Sequence, residues 1–167
     1  MHQNPNTCFL LPNSRKSLGF TLIEMLVVVS LIGILTTLVT ANLNSARERA
    51  RDTQRKSDLR NLETALRLYY QDYQVFPGNG SNGEIAGCES GGTSVCTWGE
   101  SWSADSNTYM AKMSKEPLPD QSYKYTVLEA GENYTLDSCL ENKSDIKGET
   151  TTDTGWCPSG WMYRVQP

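Results

Sequence analysis

The chain has 167 residues, enough for one compact domain with an appendage, and 38% of them are hydrophobic. Its formal charge of −4 carries no basic surplus, which argues against a nucleic-acid surface. The one histidine, His2, stands near the start, no C-x-x-C pair occurs, and no glycine-rich loop follows a strand. Histidine-assisted nucleophilic catalysis, zinc or thioredoxin-like chemistry and a phosphate loop therefore lack their residues.

Residues 1–19 are polar, contain no acid and include Pro5, Pro12 and Asn13, which oppose a stable helix, so they read as a leader with Arg15 and Lys16 as its basic pair. From Met25 to Ala46 no charged residue occurs. As a helix that run measures about 33 Å, which matches a hydrocarbon core of about 30 Å and allows one span. At its mouth stands Gly19-Phe20-Thr21-Leu22-Ile23-Glu24. The acid is costly there, since a helix-borne charge at mid-bilayer is penalised by about 2.5–3.5 kcal/mol and by less near the surface. Taken alone, Glu24 reads as an interfacial side chain reaching into headgroups, or as a residue kept for a use. A conventional secretory signal would be cut after the apolar run, where Val39-Thr40-Ala41 offers a small-residue site; the acid and the length of the run oppose that reading.

The sequence from Gly19 through Glu24 and on to Met25-Leu26-Val27-Val28-Val29 resembles the N-terminus of prepilins of the type IV filament superfamily, which includes type IV pilins and type II secretion pseudopilins. The resemblance implies cleavage between Gly19 and Phe20 by a membrane aspartyl prepilin peptidase and N-methylation at Phe20. It also implies an assembly role for Glu24, neutralised by the Phe20 ammonium of a neighbouring subunit. Arg15 and Lys16 would hold the leader in the cytoplasm, in line with the positive-inside tendency. Cysteine parity agrees: of five cysteines only Cys8 precedes the cut, leaving four, and an even set suits an oxidising compartment. The processed chain would carry 13 basic against 19 acidic residues, a net charge of −6.

Past Ala41 the helical period continues through Leu43, Ala46, Ala50, Leu59, Leu62, Leu66, Tyr69 and Tyr73, with no proline and only Gly33 between residues 20 and 76. One helix of about 55 residues is expected, transmembrane over 20–46 and amphipathic over 47–77, ended by Phe76-Pro77-Gly78. Its other face carries Arg47, Arg49, Arg51, Arg55, Lys56 and Arg60 interleaved with Glu48, Asp52, Asp58 and Glu63, and reads as a solvated face of mixed sign. This cluster opposes the positive-inside tendency, so topology is read from the leader. Residues 50–77 are similar to the solvent-side half of the long pilin helix. Ala41 stands where many type IV pilins have a kinking proline, as is common in secretion pseudopilins.

Residues 78–167 form the head. Over 78–108 the chain is dense in Gly, Ser and Asn and is expected as a long loop, with Trp98, Trp102 and Tyr109 as apolar anchors. Within a β region over 120–167, residues 123–129 and 133–140 alternate and favour strands, joined as a hairpin by Ala130-Gly131-Glu132. Tyr123, Tyr125 and Val127 would share a face, as would Tyr134, Leu136 and Leu140, and residues 160–165 offer a third strand. Two disulfides are expected, although four cysteines allow three connectivities. A Cys88–Cys96 bridge would brace the loop; a Cys139–Cys157 bridge would close the Thr- and Asp-rich segment and would resemble the disulfide-closed end of many pilins. Pseudopilins often bind calcium in a late acidic loop, yet Asp145, Glu149 and Asp153 lack the dense spacing of a calcium cage, so no metal or other cofactor is expected. Asn79, Asn133 and Asn142 open sequon-like triplets of a kind frequent by chance.

The expected fold class is thus α+β and pilin-like: one long N-terminal helix, its first half transmembrane, packed on a small antiparallel sheet with disulfide-braced loops. The resemblance implies a structural subunit, not an enzyme, of a type IV pilus or type II secretion-like pseudopilus. Its partners would be prepilin peptidase, other pilin subunits in a helical homo- or hetero-filament, an inner-membrane assembly platform and membrane lipid, with no nucleic acid. It would sit single-pass in the cell membrane, N-terminus cytoplasmic and head extracytoplasmic, before entering the filament. The alternatives are a single-span anchored binding module and a secreted protein cleaved after Ala41.

Overall fold

The computed structural model describes residues 19–167; residues 1–18, which hold most of the expected leader with Cys8, Arg15 and Lys16, lie outside the described residues. The first element is helix α1 (Leu22–Tyr73), and the chain falls into two compact units, one ending at Ala41 and one running Asn42–Pro167. In the first unit the helix is long and apolar enough to cross a membrane. Its large apolar side chains, from Leu22 at 83% exposure through Ile23, Val29, Ile32 and Leu35, all face outward. Among the described residues no apolar partner covers them, so this surface suits an apolar environment outside the described chain.

In the second unit α1 buries Leu59, Leu62, Ala65, Leu66 and Tyr69, three or four residues apart, as the period demands. Leu43, Ala46 and Ala50, in the same periodic series, are exposed; packing on the head begins only beyond them. The helix stops at Tyr73, earlier than the aromatic-proline turn, because Gln74 takes a left-handed conformation (φ 58°) and its N–H bonds the Tyr70 carbonyl at 2.8 Å. Phe76 then docks edge-on against Tyr134, and its N–H bonds the Gly131 carbonyl at 2.8 Å.

The stretch expected as a loop is built from short antiparallel strands. β1 (Gly78–Asn79), β2 (Ile85–Cys88) and β3 (Ser94–Val95) form one sheet, and β4 (Trp102–Ala104) and β5 (Asn107–Met110) a hairpin. Strands of two to four residues are too short to show a period in sequence. Their glue is local: the Cys88–Cys96 disulfide closes the β2–β3 turn, and the fully buried Trp102 donates its indole N–H to the Gly87 carbonyl at 2.8 Å.

The main sheet contains β6 (Lys124–Leu128), β7 (Asn133–Cys139), β8 (Glu149–Thr150) and β9 (Trp161–Val165), in the order β6-β7-β9-β8 and antiparallel throughout. The β6–β7 register pairs Tyr125 with Leu136 and Val127 with Tyr134. Tyr125, Tyr134 and Leu136 are buried in one core with Leu59, Leu62 and Leu66 of α1. The hairpin turns through Glu129, Ala130 and Gly131, all with positive φ; at Gly131 (φ 99°) a Cβ would press on Val75 at 3.2 Å, so glycine is required where the turn meets the helix exit. Cys139 and Cys157 are bonded across a separation of 18 residues and pack with Met162 in a satellite cluster. Replacing both by serine is expected to lower the stability of the head by about 3 kcal/mol on a chain-entropy basis, read as a lower urea midpoint.

The helix face read as solvated is in part the inside of the protein. Arg55 is fully buried and Asp52 nearly so. The Arg55 guanidinium bonds Asp52 (2.7 Å, Nη1), Glu141 (2.7 Å, Nη1) and Glu116 (2.7 Å, Nε), while Arg51 forks onto Glu141 at 2.7 and 2.5 Å. Asp52 also accepts the backbone N–H groups of Glu141 (3.0 Å) and Asn142 (2.8 Å), tying the end of β7 to the helix. A buried guanidinium needs compensation, and here three carboxylates take its Nε and Nη1 donors, while Nη2 has no hydrogen bond and lies against Glu116 Oε1 at 2.5 Å as an ion pair.

The groups of this network titrate in opposite senses. Hydrogen bonds from Arg51 hold the Glu141 carboxyl below the usual range, and Lys56 does the same for Asp145. Their contribution to stability is complete above the unfolded values of 4.5 and 3.8 and is lost as pH falls through the lower folded values. Burial pushes Glu116 up, beyond what Arg55 restores, so its contribution declines as pH rises from 4.5 through its folded value. The head is therefore expected to be most stable in the weakly acidic range and to lose stability on further acidification, measurable as urea midpoints across a pH series.

Candidate functional site

The N-terminal motif folds as a closed local unit. Thr21 caps α1: its hydroxyl accepts the Glu24 N–H at 3.3 Å, while Glu24 Oε2 accepts the Thr21 N–H at 2.9 Å and the Thr21 hydroxyl at 2.8 Å. This reciprocal capping box satisfies two backbone donors that a helix start otherwise leaves unpaired. It also fixes the Glu24 carboxylate beside the helix N-terminus, where the helix dipole favours negative charge. Oε1 makes no hydrogen bond among the described residues and is free to accept one. Thr21 is a residue that sequence reading passed over, although the T-x-x-E spacing was there to be seen.

Phe20 lies just outside the helix with 77% of its surface exposed. Together with Ile23, Glu24, Val27 and Val28 it lines a shallow apolar groove of about 370 Å3. Gly19 is exposed and non-helical, and a Cβ built on it meets no atom within 4 Å. Among the described residues, packing does not ask for glycine at position 19. Arg15 and Lys16, outside the described residues, are the remaining members of the set.

This arrangement has exposed Gly19 and Phe20 ahead of the helix, a positioned carboxylate four residues beyond Phe20, and after it an apolar helix without cover among the described residues. Residues 14–40 match the family described as the prokaryotic N-terminal methylation motif. The chain carries that motif. It is also similar to the protein named type II secretion system core protein G in several bacteria. The identity is 43% over 63 residues with the protein of Vibrio cholerae, covering 38% of this chain and 43% of the relative. It is 41% over 63 residues with that of Aeromonas hydrophila, covering 38% and 44%, and 42% over 62 residues with that of Escherichia coli K12, covering 37% and 43%. The matched stretch thus spans less than half the length of these relatives. No solved structure matches the chain.

The late acidic residues are dispersed. Asp145 is paired with Lys56 of α1, Asp153 accepts the Lys124 ammonium at 2.8 Å, and Glu149 lies exposed in β8. Among the described residues no three potential metal ligands converge. The four cysteines of the described chain are all spent in Cys88–Cys96 and Cys139–Cys157.

Proposed function

We propose that the chain is a structural subunit of a type II secretion-like pseudopilus, cut after Gly19 by prepilin peptidase, methylated on Phe20 and assembled through α1. The observation that carries this reading is the capped Glu24 at the head of an apolar helix whose side chains have no cover among the described residues. In the membrane the lipid covers them; in a filament the same helix of neighbouring subunits does. Glu24 Oε1 then receives the Phe20 ammonium of a neighbour, and in a poorly hydrated core that attraction, against the cost of an unpaired charge, sets axial register. The similarity to secretion core proteins favours the secretion-type filament over a surface pilus. The role is non-enzymatic and needs no cofactor. The partners are the peptidase, other pilin subunits and an inner-membrane assembly platform, with the N-terminus cytoplasmic and the head outside.

N-terminal sequencing of the membrane-associated protein tests this directly: a start at N-methylated Phe20 supports it, and a start at Met1 or at Asn42 overturns it. Gly19→Leu is expected to leave an uncleaved, membrane-held precursor, because a side chain there meets no described residue and would burden the peptidase instead. Its processing should fall by two orders of magnitude or more, on the scale of a misplaced reacting group. Recovery of a mature N-terminus at Phe20 from that variant would refute the assigned cut.

A further inference from the structure

The loop over 141–148, which follows β7, is the part of the head that meets α1 at its lowest residue numbers. Glu141 bonds Arg51, Asn142 bonds Asp52 and Asp145 bonds Lys56, whereas Tyr123 reaches Asp58 and Tyr109 reaches Asp72. A rise of about 1.5 Å per residue separates these levels along one helix axis. The loop and Arg49, Asp52 and Thr53 of α1 enclose a cleft of about 410 Å3, with Ile146 on its rim, 96% exposed. Lys143 and Lys147 flank that isoleucine and are exposed. Arg47 and Arg49, also exposed, follow the uncharged run by one and three residues.

Two acids of this surface are already engaged. Asp145 holds Lys56, and Asp52 is taken by Arg55 and two backbone N–H groups. Glu48, half-buried, and Glu149, exposed, form no ion pair among the described residues. Arg47, Arg49, Lys143 and Lys147 form none either, so the surface presents four cations against two unpaired carboxylates around one apolar tip. Folding thus sorts the mixed-sign cluster of the sequence: its inward members are paired with the head, and the outward ones next to the apolar run, Arg47, Glu48 and Arg49, keep a net positive charge. Juxtamembrane cations with an exposed aliphatic residue are the chemistry that recognises an anionic lipid surface.

We propose that this face of the head docks on the anionic headgroups of the leaflet it emerges from, holding the unassembled subunit against the membrane until extraction. The inference rests on the membrane-anchored reading given above. The cations take the phosphate charge, and Ile146 enters the headgroup boundary. Because the attraction is electrostatic and exposed, it is released by salt and is weak enough to yield to assembly.

The test uses the full processed chain in lipid nanodiscs, with Ile146→Cys carrying an environment-sensitive fluorophore. Discs of phosphatidylcholine and discs containing phosphatidylglycerol are compared. The expected result is blue-shifted emission, quenched by headgroup nitroxide lipids, in the anionic discs and not in the neutral ones. Each cation adds about fivefold to such docking, so Lys143→Gln with Lys147→Gln should lower the docked fraction ratio about 30-fold, and salt at about 0.5 M should abolish it. A chain that enters neither disc sinks the anchored reading and this inference together. A chain held in both, with the same emission in both, sinks this inference alone. A shift in neutral discs on adding millimolar inorganic phosphate, or one that grows with the number of subunits per disc, assigns the surface to a free anion or a second copy and also overturns it.

Discussion

Glu24→Ala is expected to be cut after Gly19 at a normal rate and then to fail in assembly, with the incorporated fraction lower by two to three orders of magnitude. The size follows from removing one partner of a buried charge pair, which costs about 3–5 kcal/mol because the other charge is left uncompensated. In this chain that other charge would be the Phe20 ammonium of a neighbour. The capping box supplies a control, since Glu24 has two separable jobs: it caps Thr21 through Oε2 and offers a charge through Oε1. Glu24→Gln keeps an acceptor for the cap but loses the charge. If pairing governs assembly, the glutamine variant fails as badly as the alanine one; if it assembles normally, the pairing idea is wrong and the cap alone matters. Thr21→Ala should fall between, since loss of an N-cap costs about 1 kcal/mol, or roughly a fivefold drop. Immunoblots of sheared filament fractions, normalised to mature protein in the membrane, give the readout.

What could be read from sequence divides by the range of the contacts involved. The apolar run, the buried stripe Leu59, Leu62, Leu66 and Tyr69, and the β6–β7 hairpin are local patterns, and the structure places them where periodicity puts them. The Thr21–Glu24 box was equally local and was simply overlooked. Arg55 was of another kind. Its partners Glu116 and Glu141 lie 61 and 86 residues away, and a polar residue flanked by other charges gives no sign that a distant loop will fold over it. The strands between residues 78 and 110 escape sequence reading for a third reason: Ile85, Trp102, Ala104 and Tyr109 do enter the core, but strands of two to four residues are too short for their alternation to show.

Arg55 carries the largest expected effect on the head itself. Replacing it with methionine keeps much of the volume but strands Asp52 and Glu116, both nearly inaccessible, and leaves Glu141 to Arg51 alone. The cost of such a broken pair, about 3–5 kcal/mol, is a large share of the 5–15 kcal/mol that holds a typical domain together. Urea denaturation of the processed chain in detergent, followed through the head tryptophans Trp98, Trp102, Trp156 and Trp161, should show the loss as a lower midpoint with an unchanged slope. Arg60→Met, one exposed residue on the same helix, is the control and should move stability by no more than about 0.5 kcal/mol. Adding Glu116→Gln to Arg55→Met should recover part of the loss, because an amide tolerates the dry site that a carboxylate without its cation does not. A loss under about 1 kcal/mol in the single variant would mean that water reaches the stranded carboxylates, and the network would then be a surface feature and not the clasp between α1 and the two loops it joins.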